Sequence, residues 1–182
     1  MVDSMKATSV RFSPYATLRG MAAKPKSAPV ETDAPNPPVP PPLLYLLVFL
    51  TASLVNMAYP IKLLPLGWNI VPALLFSVGG LGIFLGAALA LRRAGTTLSP
   101  YKSTKVLLTS GPYLRTRNPI YLALAWIYLG CSCLLASLWP FLFFPVLIVV
   151  LNLTVIAREE AWLLAHFGEA YRTYRAQTRR WM

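Results

Sequence analysis

Gly111-Pro112-Tyr113-Leu114-Arg115-Thr116-Arg117-Asn118-Pro119-Ile120-Tyr121 marks the point where a basic loop becomes an apolar run that continues to Leu138. Asn is a favoured residue just before a helix, and Pro suits the first helical turn, where its missing N–H is not needed. The pair Asn118-Pro119 therefore predicts a helix start. The free backbone donors and positive dipole end of that helix face the loop that carries Arg115 and Arg117. The run after Pro119 is long enough and apolar enough to enter a bilayer.

Working outward, three more runs share that character, giving Leu43–Tyr59, Asn69–Leu91, Ile120–Leu138 and Phe141–Ala157. Crossing a bilayer core takes about 20 apolar residues, with a range of roughly 17–25. No run contains Asp, Glu, Lys or Arg, whereas a soluble helix of this length needs a polar face. The whole chain of 182 residues agrees: 56% are hydrophobic and only 13% charged, about half the usual charged share. The expected fold is all-α, an integral membrane protein with four transmembrane helices and a C-terminal interfacial helix.

Net charge is +11, yet its placement argues against nucleic acid. Five basic residues precede the first run, six lie between the second and third, and five follow the fourth; Lys62 alone occupies the first loop. Basic loops stay cytoplasmic. The pattern predicts a multi-pass protein with both termini and the middle loop in the cytosol, Lys62 on the far side, and membrane lipids as its surroundings. Residues 1–42, rich in Pro and Lys/Arg, read as a disordered basic tail; residues 43–182 form the membrane domain. Beyond Ala161, the break at Gly168 and the mixture of Tyr171, Tyr174, Arg172, Arg175, Arg179, Arg180 and Trp181 read as an amphipathic segment along the headgroups.

Within the runs, Gly82 and Gly86 form a small-xxx-small pair suited to close helix packing. Asn56 and Asn152 need interhelical hydrogen bonds. Cys131 and Cys133 point to different sides of one helix and suit neither a mutual disulfide nor zinc. His166 is the only histidine, so no histidine-based metal site is expected.

The chemistry concentrates at two places. Arg158-Glu159-Glu160 ends the fourth run, and carboxylates near a membrane need partners or water. A short turn at Trp139-Pro140 makes the third and fourth helices antiparallel and returns Glu159 and Glu160 to the membrane face that holds Arg117 and Asn118. Cationic and anionic groups then surround one site, with Tyr113 and Tyr121 beside it, suited to a zwitterionic ligand. No Gly-rich phosphate loop follows a strand, and no Ser-His-Asp set is present.

Leu107-Leu108-Thr109-Ser110-Gly111-Pro112-Tyr113, the box Arg117-Asn118-Pro119-x-Tyr121, and Glu159-Glu160 followed by Phe167-Gly168-x-x-Tyr171-x-x-Tyr174 stand in one order and spacing. In this the chain resembles the isoprenylcysteine carboxyl methyltransferase family and its wider relatives, the phospholipid N-methyltransferases, over roughly Lys102 to Trp181. The resemblance implies an all-helical membrane enzyme that uses S-adenosylmethionine to methylate a lipophilic acceptor, a carboxylate, amine or thiol. It implies cofactor contacts from Lys105, Val106, Leu107, Leu108, Tyr113, Asn118, Pro119, Ile120, Tyr121 and Glu159, with Arg117, Glu159 and Glu160 as catalytic residues and no metal. The family box has His where this chain has Asn118, so proton transfer there is not expected. Val155 falls near the place where the prenylcysteine enzymes carry a substrate-contacting arginine. Two alternatives fit the same sequence: a membrane reductase of the sterol-reductase kind using NADPH, and a non-catalytic membrane scaffold.

Overall fold

The computed structural model describes residues 37–63, 65, 67–96 and 106–182. The tail expected over 1–42 therefore lies outside the described residues up to residue 36, as does Lys105. Among the described residues the structure is helical: α1 is Pro41–Ala58, α2 Ile70–Arg93, α3 Pro119–Leu135, α4 Trp139–Leu151, α5 Ala157–Phe167 and α6 Glu169–Gln177. A 3-10 turn, Gly111–Leu114, precedes α3, and a π-helical turn, Asn152–Ile156, joins α4 to α5.

The π turn keeps the helix unbroken beyond the apolar run. The helix does not stop with the apolar run at Ala157: Trp139–Phe167 is one continuous 29-residue helix, and it breaks only at Gly168, whose φ is 50°. Arg158 ends the apolar composition, but a charge does not end a helix. Glu159 and Glu160 thus lie on the helix that carries the fourth run, just past its apolar part. Three helices are long and apolar enough to cross a bilayer, namely α1, α2 and Trp139–Phe167; α3, with 17 residues, is shorter. The structure thus supports three spans plus this shorter apolar helix where four spans were expected. At 1.5 Å per residue α3 measures about 25 Å, just short of a hydrocarbon core of about 30 Å.

That short helix is the buried one. Tyr121, Leu122, Ala123, Ala125, Tyr128, Gly130, Ser132 and Cys133 of α3 are all buried, while α1 and α2 expose Leu46, Leu50, Leu54, Leu74, Val78, Leu81 and Leu85. In a bilayer these outward apolar side chains meet lipid. α3 packs most extensively on α2, and α1 on α4; α3 and α4 touch sparingly despite the short turn between them. Close approach of α2 and α3 comes from Gly79, Gly80 and Gly130. A Cβ on Gly80 would sit 2.9 Å from the Ala123 carbonyl oxygen, and one on Gly130 would strike Ser77 Oγ. The sequence pair Gly82 and Gly86 does not do this: Gly82 faces open space, and Gly86 meets Pro112 of the 3-10 turn.

At the end of α3 away from the box, the α1–α2 loop pairs with the α3–α4 turn. Leu63 N–H donates to the Ala136 carbonyl at 2.9 Å, and Leu138 N–H to Ile61 at 2.9 Å. Ser137 Oγ donates to Asn56 Oδ1 at 2.8 Å, which satisfies that membrane asparagine. Beneath the box, Tyr45, Tyr121, Tyr128, Leu147, Leu151, Val155 and Ile156 form one core cluster, and Tyr45 Oη donates to the Tyr121 carbonyl at 2.9 Å. A second cluster, Leu107, Phe167, Tyr171 and Tyr174, packs the C-terminal helices against the loop before the box.

Candidate active site

Helix α3 begins at Pro119 with Asn118 just before it, but the asparagine side chain does not cap the helix. Its Nδ2 donates instead to the Arg180 carbonyl at 3.1 Å. Thr116 Oγ1 donates to the same carbonyl at 3.0 Å, and Arg117 N–H donates to the Arg179 carbonyl at 2.9 Å. Thr116 and Arg179 form a parallel bridge. The last residues of the chain are thus laid as a strap along Thr116–Asn118.

The strap also carries charge to the acidic doublet. Arg180 donates through Nε and Nη2 to the two oxygens of Glu160, at 3.1 and 2.5 Å, and Arg117 Nη2 reaches Glu160 Oε1 at 3.1 Å. The Glu160 hydrogen bond, outweighing partial burial, holds Arg180 above the usual arginine range. Arg117 and Glu160 are only 10% and 9% exposed and Arg180 is 36%, so a buried ion pair is joined by a second, partly exposed cation. A buried carboxylate needs such pairing to stay ionised.

Glu159, one residue earlier, stands differently. It accepts a hydrogen bond from Tyr121 Oη at 2.5 Å, and among the described residues no cation pairs with it. It lies near Tyr113, whose hydroxyl is pushed upward by burial first and by the Glu159 charge second. The Tyr113 carbonyl accepts from Tyr174 Oη at 2.7 Å, which ties the 3-10 turn to α6. Two adjacent glutamates therefore occupy different environments, one paired with two guanidinium groups and one held by a tyrosine hydroxyl alone.

The π turn aims this doublet. One extra residue in a helix rotates everything after it by about 100°, and π bulges recur at functional sites. Asn152, the first residue of the turn, accepts from Trp181 Nε1 at 3.2 Å through Oδ1 and donates to the Ile148 carbonyl at 2.9 Å. The chain end therefore holds the turn as well as the triad.

Of the residues singled out from sequence, Arg117, Asn118, Pro119, Tyr121, Glu159 and Glu160 lie together at one end of the bundle, with Tyr113 beside them. Leu107 is buried in the second cluster against Phe167, Tyr171 and Tyr174, and Val106, Leu108 and Ile120 are half-buried. Sequence reasoning missed Thr116, Asn152, Arg180 and Trp181 as members. Arg180 and Trp181 were read with the headgroup segment, because no local pattern announces a partner some 60 residues away. Among the described residues no group of three or more His, Cys, Asp or Glu is placed to hold a metal ion.

Comparison with known proteins adds the chemistry. The phospholipid methyltransferase family matches residues 68–170, more than half of the chain. An uncharacterized protein of Haemophilus influenzae is 38% identical over 63 residues, which cover 35% of this chain and all of that protein. No solved structure matches the chain. The matched region runs from the start of α2 through the box and the acidic doublet into α6, and it leaves the strap outside. With three helices able to cross a bilayer, the chain is a membrane protein that belongs to the phospholipid methyltransferase family.

Proposed function

We propose that this protein is an S-adenosylmethionine-dependent methyltransferase of the isoprenylcysteine carboxyl methyltransferase type, acting on a lipophilic acceptor, most simply a carboxylate. The observation that carries the reading is the contrast within the doublet: Glu160 is taken by Arg117 and Arg180, while Glu159, held by Tyr121, has no cation beside it among the described residues. A half-buried carboxylate of that kind suits a cationic ligand with polar groups, and S-adenosylmethionine is one. Tyr113, Asn118, Pro119, Ile120, Tyr121 and Glu159, with the loop Val106–Leu108, are the residues that would hold it. Lys105 belongs to the same proposal from sequence alone.

When bound, that cofactor supplies a methyl group on a positively charged sulfur. The chain's own part is placement. Glu159 presents a carboxyl group with no cation of its own, Tyr121 fixes its rotamer, and the Arg117–Glu160–Arg180 triad keeps the second carboxylate from competing for the ligand. Alignment and exclusion of water supply most of the acceleration in such displacements. At the box, Asn118 offers no group that takes up a proton. A carboxylate acceptor suits this site because it attacks without giving up a proton. Basic residues cluster at the end of the bundle that holds the box, and Lys62 sits at the other, which supports both termini lying in the cytosol.

Incubating the purified protein with methyl-labelled S-adenosylmethionine and a total lipid extract tests the reading. Label in an alkali-labile lipid ester is expected. Tighter binding of NADPH than of S-adenosylhomocysteine would instead favour the reductase alternative. Loss of stability without change in any small-molecule affinity in Glu159→Gln would favour the scaffold.

A further inference from the structure

Four buried side-chain polar atoms among the described residues have no hydrogen-bond partner: Arg117 Nε, Arg117 Nη1, Tyr171 Oη and Thr178 Oγ1. Buried polar groups are paired in the great majority of cases, so orphans gathered in one place call for an explanation. They fall on segments that meet at the strap, for Thr178 adjoins Arg179, whose carbonyl accepts from Arg117 N–H. Tyr171 and Tyr174 lie one turn apart on α6, Thr178 directly follows that helix, and all three are buried. This segment meets the box, since Tyr174 donates to Tyr113 and Thr178 immediately precedes the strap bonded to Arg117. The Tyr171 hydroxyl, pushed up to about 12 by burial first and Glu160 next, is pulled back by Arg117, Arg175 and Arg180, which places it among those charges.

The balance of charge is uneven. Arg117 and Arg180 bring two positive charges and Glu160 one negative, so the triad is left with one net positive charge inside a shell of unmet donors. Arg117 Nη2 is tied to Glu160, and the donors at Nε and Nη1 remain. Guanidinium groups match the geometry of carboxylate and phosphate oxygens.

We propose that the node between the strap and the box binds an oxyanion, a phosphate or carboxylate group held by the unmet donors of Arg117 together with the hydroxyls of Tyr171 and Thr178. This site is separate from Glu159, whose environment favours a cation. The oxyanion closes the strap against α3 and neutralises the surplus charge there. Its source is either a free inorganic ion or the carboxylate end of a larger ligand; the second case rests on the methyltransferase reading, and the first does not.

Thermal unfolding of the full chain in detergent tests this, with sodium phosphate and sodium sulfate titrated against sodium chloride at matched ionic strength. Phosphate or sulfate is expected to raise the midpoint saturably, beyond chloride. In Tyr171→Phe, which removes one hydroxyl, the half-saturating concentration should rise roughly five- to tenfold, the equivalent of one hydrogen bond. Arg117→Lys should abolish the effect, and Arg172→Ala, on the exposed side of α6, should leave it unchanged. Adding 5′-methylthioadenosine or S-adenosylhomocysteine, which differ in the amino-acid end, separates the sources. Competition with phosphate by the second compound alone assigns the oxyanion to a ligand's carboxylate. A phosphate shift untouched by either assigns it to a free ion, and survives even if neither adenosyl compound binds. If phosphate and sulfate act only as chloride does, and S-adenosylhomocysteine binds Tyr171→Phe as it binds the native chain, the node holds water and the proposal fails.

Discussion

Asn118 Nδ2 donates to the carbonyl oxygen of Arg180 at 3.1 Å, so the residue that opens α3 is fastened to the end of the chain rather than to its own helix. Capping and strap-holding make opposite demands on this position. Asp caps a helix as well as Asn, but it has no donor for a carbonyl. Asn118→Ala should cost about 1 kcal/mol, the usual net worth of one hydrogen bond. Asn118→Asp should cost more than Ala, because two acceptors then face each other where Nδ2 now donates to the Arg180 carbonyl. Thermal unfolding of both variants in detergent decides it; an Asp variant as stable as the native chain would mean that capping is the role that matters.

The two glutamates should separate cleanly under the same substitution. Glu160→Gln leaves Arg117 buried without its counter-charge, and breaking a buried pair by removing one partner costs about 3–5 kcal/mol. Glu159→Gln keeps an acceptor for Tyr121 Oη and breaks no ion pair, so stability should change by less than about 1 kcal/mol. Its effect belongs to ligand affinity, where more than tenfold weaker binding of S-adenosylhomocysteine is expected by calorimetry. Equal losses of stability in the two variants would remove the distinction on which the proposed cofactor site rests.

How much of the molecule was legible in the sequence depends on the range of each interaction. The apolar runs, the Asn-Pro helix start and the break at Gly168 are local, and composition exposes them. The membership of Arg117, Tyr121, Glu159 and Glu160 in one region could be expected because a short turn folds α3 and α4 back on each other. The π turn has no such signature: Asn152-Leu153-Thr154-Val155-Ile156 contains neither Gly nor Pro, and its partner, Trp181, is 29 residues away. The strap was hidden for the same reason. Small-residue spacing showed that α2 could be approached closely but not from which side. The side is set by Ala73, Gly80 and Ala87, seven residues apart and all buried, with Ala73 and Gly80 against α3, and not by Gly82 and Gly86.

That choice of face yields a paired prediction. A methyl on Gly130 would press on Ser77 and on the Ala73 carbonyl, at 3.0 Å from the latter, where backbone cannot yield cheaply. Gly130→Ala should therefore destabilise by about 1–3 kcal/mol, as overpacking does. Gly82→Ala meets nothing within 4 Å and should be neutral or slightly stabilising, since Ala is the better helix former. Unfolding midpoints in one detergent give the comparison. A Gly82 variant as damaged as the Gly130 variant would point to a second, intermolecular packing face.

The π turn allows the sharpest test of how the doublet is aimed. Leu153 lies in the turn with its side chain 71% exposed, so Leu153→Ala should change little. Deleting Leu153 lets the segment relax to an α-helix, which turns α5 by about 100° relative to α4. Glu159 then leaves Tyr121, Glu160 leaves Arg117, and Asn152 loses its place against Trp181, although no functional side chain has been removed. Far-ultraviolet circular dichroism should show helix content kept, while S-adenosylhomocysteine binding falls below detection. Reinserting an alanine at the same place restores the residue count but not the leucine, and it should recover binding. Binding that survives the deletion would mean that the strap alone, pulling on Glu160 through Arg180, sets the direction of the helix, and the turn would then be a consequence of the site and not its cause.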